Sequence, residues 1–259
     1  HLGEKIINEK LLQIRDLGRD FANVDMATDP VPIRPGMHYQ MGGIKTDIDG
    51  STNVPGLYAA GETACVSVHG GNRLGANSLL DTLVFCRRSG EHAANLSKTI
   101  SYKSIGDSAA NPDKSLLQDM LDREDGIESF GQIRLDMGII MNDKLAVFRD
   151  HDGIEQAISQ LLELRERYSK VIVSDKSKTF NTNLIFTLEL GFMLDCAETI
   201  AFGALERKES RGAHYRTDMP DRDDQNWLKH IVLSKGQDGP EIEYQPVKIT
   251  QWQPEARTY

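Results

Sequence analysis

The fold is decided by residues 54–81, which read VPGLYAAGETACVSVHGGNRLGANSLLD, together with the HYQMGG segment at residues 38–43. The apolar run at residues 56–61 ends in glycine, which is typical of a buried strand that stops where another group must approach its backbone closely. Glu62 follows at the expected carboxyl edge of that strand, where ligands bind in open α/β sheets. A carboxylate there can accept hydrogen bonds from ribose or ribityl hydroxyls, so this segment predicts a dinucleotide site.

A glycine-rich loop at residues 70–75 then leads into a predicted helix. Asn77 or Ser78 is the candidate N-cap, because the apolar residues of the helix begin directly afterwards at Leu79 and Leu80. The free N–H groups and the positive dipole end of such a helix favour negative charge, such as the N1/O2 region of a reduced flavin. The segment therefore predicts one site between a strand edge and a helix N-terminus.

Several motifs together resemble the flavoprotein subunits of succinate dehydrogenase and fumarate reductase. They are HYQMGG at residues 38–43, GLYAAGE at 56–62, HGGNRLGANSLLD at 69–81, ESRGAHYR at 209–216 and DRDDQNWLKH at 221–230. The resemblance covers nearly all 259 residues. It implies that the chain is a C-terminal portion of such a subunit, because the GxGxxG motif with which these flavoproteins begin and an initiating Met are both missing.

The resemblance implies an α+β, multidomain fold, in which the C-terminal part of a Rossmann-like FAD-binding domain is followed by a helical bundle domain and an extended C-terminal tail. The expected parts are the end of a capping domain with its return linker at residues 1–35, the FAD-binding part at 36–98, the helical domain at 99–217 and the tail at 218–259. Apolar residues recur at helical spacing over residues 2–21, 116–121, 133–141, 154–162 and 182–209. A Pro-rich loop at residues 29–35 marks the linker, and residues 241–250 have a strand-like pattern.

For the substrate, the resemblance points to His38, Arg73 and His69. His38 would donate a hydrogen bond to a substrate carboxylate beside the flavin ring, although an isolated histidine is more often structural or exposed. Arg73 can clamp a carboxylate with two parallel hydrogen bonds, and its alternative role is a salt bridge at the helix entrance. His69 is a second-rank candidate that would either assist electrostatically or cap the loop.

For FAD, the resemblance implies contacts from Glu62, Asn77, Ser78, Leu79, Gly42 and Gly43. From the sequence pattern alone, Glu62 could equally be a solvated turn residue, and a glycine pair is a common turn. The family usually attaches FAD covalently to a histidine and shuttles the substrate proton with an arginine. Both residues are expected upstream of this chain, so no catalytic residue is assigned within it.

The composition excludes several other classes of protein. A formal net charge of −9 and a pI near 5.3 argue against binding to nucleic acid or anionic lipid. Three widely spaced cysteines lack ligand spacing, which argues against disulfides, zinc and an internal iron–sulfur cluster, so no metal site is predicted. No apolar run approaches the roughly 20 residues that cross a bilayer. Any membrane association is therefore expected to come through partner subunits.

The activity that the resemblance implies is the interconversion of succinate and fumarate by hydride transfer to FAD, although this portion alone should not turn over. It also implies an iron–sulfur subunit that accepts the electrons, and membrane anchor subunits that pass them to quinone at the cytoplasmic side of the inner membrane. Two alternatives stay open. L-aspartate oxidase, of the same wider family, has a similar His, Arg and Glu arrangement, and a non-catalytic interaction platform represents a different class.

Overall fold

The structure is a computed structural model that describes residues 1–33, 36–102, 104–237 and 239–255. The chain divides into two compact units, His1–Met37 and His38–Tyr259. The predicted linker at residues 29–35 adjoins this division, and its residues 34 and 35 lie outside the described residues. Every candidate site residue belongs to the second unit, so the site can be described within that unit alone.

The first unit contains two helices, α1 (Gly3–Lys10) and α2 (Leu12–Ala22), where the sequence pattern predicted helical spacing over the whole of residues 2–21. The helix is interrupted at Leu11, whose backbone leaves the helical region with φ −128° and ψ 22°. The buried Arg15 side chain holds the following turn, because its Nε and Nη2 each donate to Asp25 at 2.7 Å. Such a two-pronged ion pair fixes geometry as well as charge.

The second unit begins with a small parallel pair of strands and a long helix. Strand β1 (Ile44–Lys45) pairs with β2 (Ala64–Cys65), with Ile44 opposite Ala64. A 3-10 helix (Gly61–Thr63) lies directly before β2, and helix α3 (Asn77–Ser97) follows the glycine-rich loop. The glycine-rich loop and the helix predicted after it are therefore confirmed.

The strand predicted at residues 56–61 is wrong. These residues make only an isolated antiparallel bridge, between Ser51 and Tyr58. The backbone turns at Gly56, which has φ +83°, and the Leu57 N–H donates to the Val54 carbonyl at 3.0 Å. The local turn therefore folds the segment back on residues 50–52, and it does not enter a longer ladder.

The helices predicted from apolar spacing in the middle of the chain are confirmed. In chain order the elements are a 3-10 helix (Asp107–Ala110), α4 (Asn111–Asp122), α5 (Phe130–Lys144), β3 (Phe148–Arg149), α6 (His151–Tyr168) and α7 (Thr182–Glu206). Two of these helices, α6 and α7, begin with side-chain caps. Asp150 accepts from the Gly153 N–H at 2.7 Å, and Asn181 accepts from the Leu184 N–H at 2.8 Å. These caps satisfy backbone donors that have no partner inside the helix.

Helices α5, α6 and α7 pack on one another around the main hydrophobic core. Its buried members are Ile133, Met137, Leu145, Ile154, Ala157, Leu161, Leu164, Val171, Leu190, Leu194, Ala197, Ala201 and Ala204. Among the helices in the described part of the chain, none is both long enough and apolar enough to span a membrane, the 25-residue α7 included. The apolar faces predicted at helical spacing thus form a three-helix core.

The C-terminal part is more ordered than the extended tail that the sequence predicted. It contains β4 (Tyr215–Arg216), which runs parallel to β3, then α8 (Asp224–Trp227), β5 (Lys229–Lys235) and β6 (Pro240–Pro246). The strand-like run predicted from residue 241 is confirmed as β6, and its antiparallel partner β5 was not predicted. Strand β5 also packs against α7, so the hairpin is tied to the helical core.

Truncation of a core leucine tests this arrangement. Leu161 is fully buried between the helices, whereas its neighbour Leu162 is 46% exposed. We expect Leu161→Ala to lower the free energy of unfolding by roughly 2–5 kcal/mol, because it removes buried contacts and leaves a cavity. Leu162→Ala, the matched control, should change it by less than about 1 kcal/mol. Urea unfolding followed by circular dichroism measures both, and equal losses would contradict the assigned core.

Candidate active site

The HYQMGG segment turns sharply into β1 through two glycines with left-handed backbone. Gly42 has φ +96° and Gly43 has φ +122°, values that side-chain-bearing residues rarely adopt. A Cβ at Gly43 would lie 2.4 Å from the Thr63 carbonyl oxygen, so only glycine fits beside the start of β2. Both glycines are exposed. Their backbone is thus accessible, and the contact predicted for them beside the isoalloxazine stays a prediction.

Glu62 lies in the 3-10 helix and connects the two ends of the predicted site. Its Oε1 accepts a hydrogen bond from the Gln40 backbone N–H at 2.8 Å, which ties residues 38–43 to residues 56–62. The carboxylate remains exposed. One hydrogen bond therefore holds the Glu62 carboxylate, which can still accept a hydrogen bond from a ligand hydroxyl.

Helix α3 begins without the side-chain cap that the sequence predicted at Asn77 or Ser78. The N-cap is Ala76 in left-handed conformation, with φ +66°, and no side chain accepts from the first turn. Asn77 is therefore the first helical residue. The Ser78 Oγ is buried and has no hydrogen-bond partner in the part of the chain that the structure describes.

The start of α3 fits the FAD that the resemblance implies. No side chain caps this helix, and the Asn77 and Leu79 N–H groups donate to the Leu74 and Ala76 carbonyls at 3.2 Å each, whereas the Ser78 hydroxyl is orphaned beside them. A buried polar group without a partner is costly, and a ligand oxygen would satisfy it. Leu79, predicted to contact FAD as well, is 73% exposed one residue further along. Glu62, Ser78, the helix start and the Gly42–Gly43 backbone therefore make a suitable set of ligand contacts.

Three side chains with little exposed surface, Tyr39, His69 and Asp81, form a cluster. The Tyr39 hydroxyl donates to Asp81 Oδ2 at 3.1 Å and lies 3.3 Å from His69 Nε2. His69 Nε2 in turn lies 3.1 Å from the same Asp81 oxygen. Burial and the neighbouring Asp81 carboxylate raise the pKa of Tyr39 to about 12, since both disfavour a phenolate.

Arg73 lies on this cluster. Its guanidinium carbon is 5.1 Å from the centre of the Tyr39 ring, a cation–π contact. Arg73 Nη1 has a long 3.4 Å bond to the Leu74 carbonyl, and the buried Nε has no partner among the described residues. The alternative role of Arg73, a salt bridge at the helix entrance, is absent from that same part of the chain. Its donors are therefore available to an anionic ligand.

The structure thus links two of the three predicted substrate residues, His69 and Arg73, through Tyr39. Tyr39 contacts both His69 and Arg73. His38 precedes Tyr39 in the chain and is exposed, so it lies next to this cluster without a described hydrogen bond of its own. Among the described residues there is no group of three His, Cys, Asp or Glu side chains that could hold a metal ion.

The loop that carries Arg73 is docked on the ESRGAH segment, 140 residues later in the chain. The Ala213 N–H donates to the Gly71 carbonyl at 2.9 Å. Gly212 has φ +60°, and a Cβ there would lie 2.2 Å from the Gly71 carbonyl carbon. Helical spacing predicted a helix over residues 182–209, but α7 ends at Glu206. Gly212 is needed for a backbone-to-backbone contact.

A buried ionic network supports the ESRGAH segment from behind. Glu209, with a fully buried side chain, accepts from Arg211 Nε and Arg207 Nη1 at 2.7 Å each, and from the Asp223 N–H at 2.8 Å. Arg211 Nη2 also pairs with Asp224 at 2.7 Å. Burial alone would raise the pKa of Glu209, but the bonds from these donors outweigh it and lower the pKa. Glu209 therefore stays charged and fixes the turn.

Sequence reasoning missed Tyr39, Asp81 and Gly212 as parts of the site. Tyr39 and Asp81 stand inside the motifs that were singled out, but 42 residues separate them, and no local pattern shows that they meet. An aspartate among the apolar positions of a helix was the available signal, because such a residue is buried only with a partner. Gly212 gave no signal beyond its residue type.

Substitution of Gly212 tests the docking of the loop. We expect Gly212→Ala to lower the free energy of unfolding by at least about 1–2 kcal/mol, because alanine is strained at positive φ and its Cβ meets the Gly71 backbone. Gly90→Ala in α3 is the matched control, since a Cβ there meets open space and alanine favours the helix. Thermal unfolding of both variants is the measurement. An unchanged Gly212→Ala midpoint would show that the contact is not needed.

Two family models match the chain. The model described as fumarate reductase flavoprotein C-term matches residues 134–259, and the FAD binding domain model matches residues 1–79. The fumarate reductase flavoprotein subunit of Haemophilus influenzae is 43% identical over 100% of this chain and 44% of its own length. The succinate dehydrogenase flavoprotein subunit of Coxiella burnetii is 40% identical over 96% of this chain and 44% of its own length.

A solved structure is also similar to this chain. A mutant of Escherichia coli quinol fumarate reductase superposes with a TM-score of 0.92 at 41% identity, covering 99% of this chain and 44% of that chain. The present chain therefore spans less than half the length of the relatives that it matches. Full coverage of this chain at such identity, together with both family models, shows its ancestry. The chain belongs to the family of fumarate reductase and succinate dehydrogenase flavoprotein subunits.

Proposed function

We propose that this chain is part of an FAD-containing flavoprotein that interconverts succinate and fumarate. The observation that carries the proposal is Arg73, a half-buried guanidinium with an orphaned Nε and no acidic partner among the described residues. A half-buried cation without a described carboxylate partner is suited to bind a carboxylate from a ligand. Family membership supplies the substrate class, since relatives are named fumarate reductase and succinate dehydrogenase subunits.

FAD would be held by Glu62, by Ser78 and the start of α3, and by the backbone of Gly42 and Gly43. When bound, it supplies the hydride acceptor. The covalent link that the resemblance implies, through a histidine, and the proton-shuttling arginine would come from the part of the protein upstream of this chain. For this chain the proposed fold keeps the four parts predicted above. Residues 1–35 would be the C-terminal end of a capping domain, and residues 36–98 would be the C-terminal part of the FAD-binding domain.

The work of this chain's own residues is to bind and orient the dicarboxylate. Arg73 would bind one substrate carboxylate through two guanidinium N–H groups, and His38 would donate to a substrate carboxylate from the neighbouring segment. Contact with both ends fixes the reacting carbons, which converts binding energy into orientation. The positive charge of Arg73 also stabilises negative charge that develops on the bound carboxylate as the double bond forms or is reduced.

The proposed partners follow from the same relatives. One solved relative is a quinol fumarate reductase. This supports an iron–sulfur subunit that takes electrons from FAD, and membrane anchor subunits that exchange those electrons with quinone. The protein would then be peripheral, at the cytoplasmic side of the inner membrane. Relatives named for either direction of the reaction match this chain, so the proposal covers both succinate oxidation and fumarate reduction.

The test uses the full-length flavoprotein loaded with FAD and follows succinate-dependent reduction of an artificial dye. We expect Arg73→Lys to lower kcat/KM by roughly 10- to 100-fold, because a lysine keeps the charge but loses the two-pronged geometry. The matched control is Arg87→Lys, at an exposed arginine of α3 whose described ion pair is with Glu91. It should leave the rate unchanged.

The same assay separates the alternatives. L-aspartate is offered as a parallel substrate, and reduction by L-aspartate but not by succinate would identify an L-aspartate oxidase. A full-length protein that binds no FAD and reduces no dye would instead indicate an interaction platform. Retention of full succinate activity in Arg73→Lys would overturn the role of the guanidinium fork.

A further inference from the structure

We propose that Tyr39 is a positioning residue for Arg73, and that Asp81 and His69 hold Tyr39 in place for that purpose. The inference deepens the proposed function, since it concerns the residue that would bind the dicarboxylate. The three supporting side chains do not themselves contact the ligand in this account. They form a buried platform, Tyr39–His69–Asp81, on which the guanidinium of Arg73 lies.

Arg73 has few other restraints. Its direct bond to protein is the long Nη1 contact with the adjacent Leu74 carbonyl, which does not fix the plane of the guanidinium. An arginine side chain costs substantial conformational entropy to immobilise. The face of the Tyr39 ring, 5.1 Å from the guanidinium carbon, is therefore the contact that orients the fork.

The ring itself is fixed from two sides. Its hydroxyl donates to Asp81, whose side chain is buried in α3, and contacts His69, at the beginning of the glycine-rich loop. The Tyr39 and His69 rings also meet edge to face, with centroids 5.3 Å apart. Rotation of Tyr39 would leave the buried Asp81 carboxylate short of a donor, which is expensive in a buried site. The platform thus links helix, loop and the HYQMGG segment.

The platform also solves an electrostatic problem. Arg73 is a partly buried cation, and a direct salt bridge with Asp81 would neutralise it but occupy the donors that the substrate needs. Here the Asp81 charge reaches Arg73 through the phenol, because a hydrogen bond to a carboxylate polarises the ring and strengthens its negative face. The cation is therefore stabilised while its fork remains free.

The experiment compares Tyr39→Phe, Tyr39→Leu and Asp81→Asn in the full-length, FAD-loaded flavoprotein. Tyr39→Leu removes the ring, and we expect the KM for succinate to rise by about 3- to 30-fold, with a smaller change in kcat. Tyr39→Phe keeps the ring but loses the hydrogen bond to Asp81, so its KM should lie between those of wild type and Tyr39→Leu. Asp81→Asn keeps an acceptor for the hydroxyl but removes the charge, so its KM should lie between those of wild type and Tyr39→Leu.

A second readout does not depend on activity. Phenylglyoxal modifies accessible arginines, and peptide mass spectrometry reports the rate at Arg73 alone. We expect Tyr39→Leu to accelerate modification of Arg73 by several-fold, and Tyr39→Phe, which keeps the ring but not its hydrogen bond to Asp81, to accelerate it less. Tyr58→Leu is the matched control for both readouts, because Tyr58 likewise bonds a histidine of α3, His92 Nδ1 at 2.8 Å, away from Arg73.

The outcomes distinguish this inference from the proposed function. An active wild type with unchanged KM and unchanged Arg73 modification in Tyr39→Leu overturns the positioning role and leaves the function standing. A wild type that does not use succinate overturns the function, and the modification rates still judge the positioning role. Equal effects of Tyr39→Leu and Tyr58→Leu on the KM and on Arg73 modification would also overturn the positioning role. If Tyr39→Leu does not fold, Tyr39→Phe and Asp81→Asn decide: a wild-type KM and a wild-type Arg73 modification rate in Asp81→Asn contradict the account.

Discussion

The backbone contact between Gly71 and Gly212 is the constraint on which the site depends. It joins the loop that carries Arg73 to a turn 140 residues later, and there is no room for a Cβ on the Gly212 side. The Ala213 N–H adds a hydrogen bond to Gly71 at 2.9 Å. Because the loop is rich in glycine, it has little side-chain packing of its own, and this docking limits where Arg73 can lie.

The ESRGAH turn is itself held by the ion pairs of Glu209 and by the helical core. Glu209, three residues after the end of α7, collects three donors in a fully buried position. Removal of one partner from such a network leaves a buried charge unpaired, which is costly. The packing of α5, α6 and α7 therefore reaches the ligand-binding loop through Glu209 and the ESRGAH turn. In this way helices that carry no proposed ligand contact contribute to the geometry of the candidate site.

Local features were predictable from the sequence where a local cause decides them. Helices α5, α6 and α7 follow from the spacing of their apolar residues, which their mutual packing then buries. The strand at residues 56–61 failed, because its apolar residues make a turn at Gly56 and bridge back to Ser51. The cap of α3 failed because the loop sets Ala76 in left-handed conformation, which no propensity indicates. Strand β5 was missed because its pairing with β6 is tertiary.

The candidate site shows the same limit. The motifs select Glu62, Arg73 and His69 as candidates, and their roles stay predictions. The Tyr39–His69–Asp81 platform could not be predicted, because its contacts join residues 30 and 42 positions apart in sequence. It explains how a cation can remain partly buried without a direct carboxylate partner.

The most direct measurement is a crystal structure of the full-length flavoprotein with FAD and malonate, a dicarboxylate that is not oxidised. The account predicts one malonate carboxylate within about 2.7–3.2 Å of the Arg73 guanidinium nitrogens, with His38 donating to malonate as well and Tyr39 still beneath the guanidinium. A malonate bound away from Arg73, or an Arg73 paired with a protein carboxylate in that complex, would contradict it.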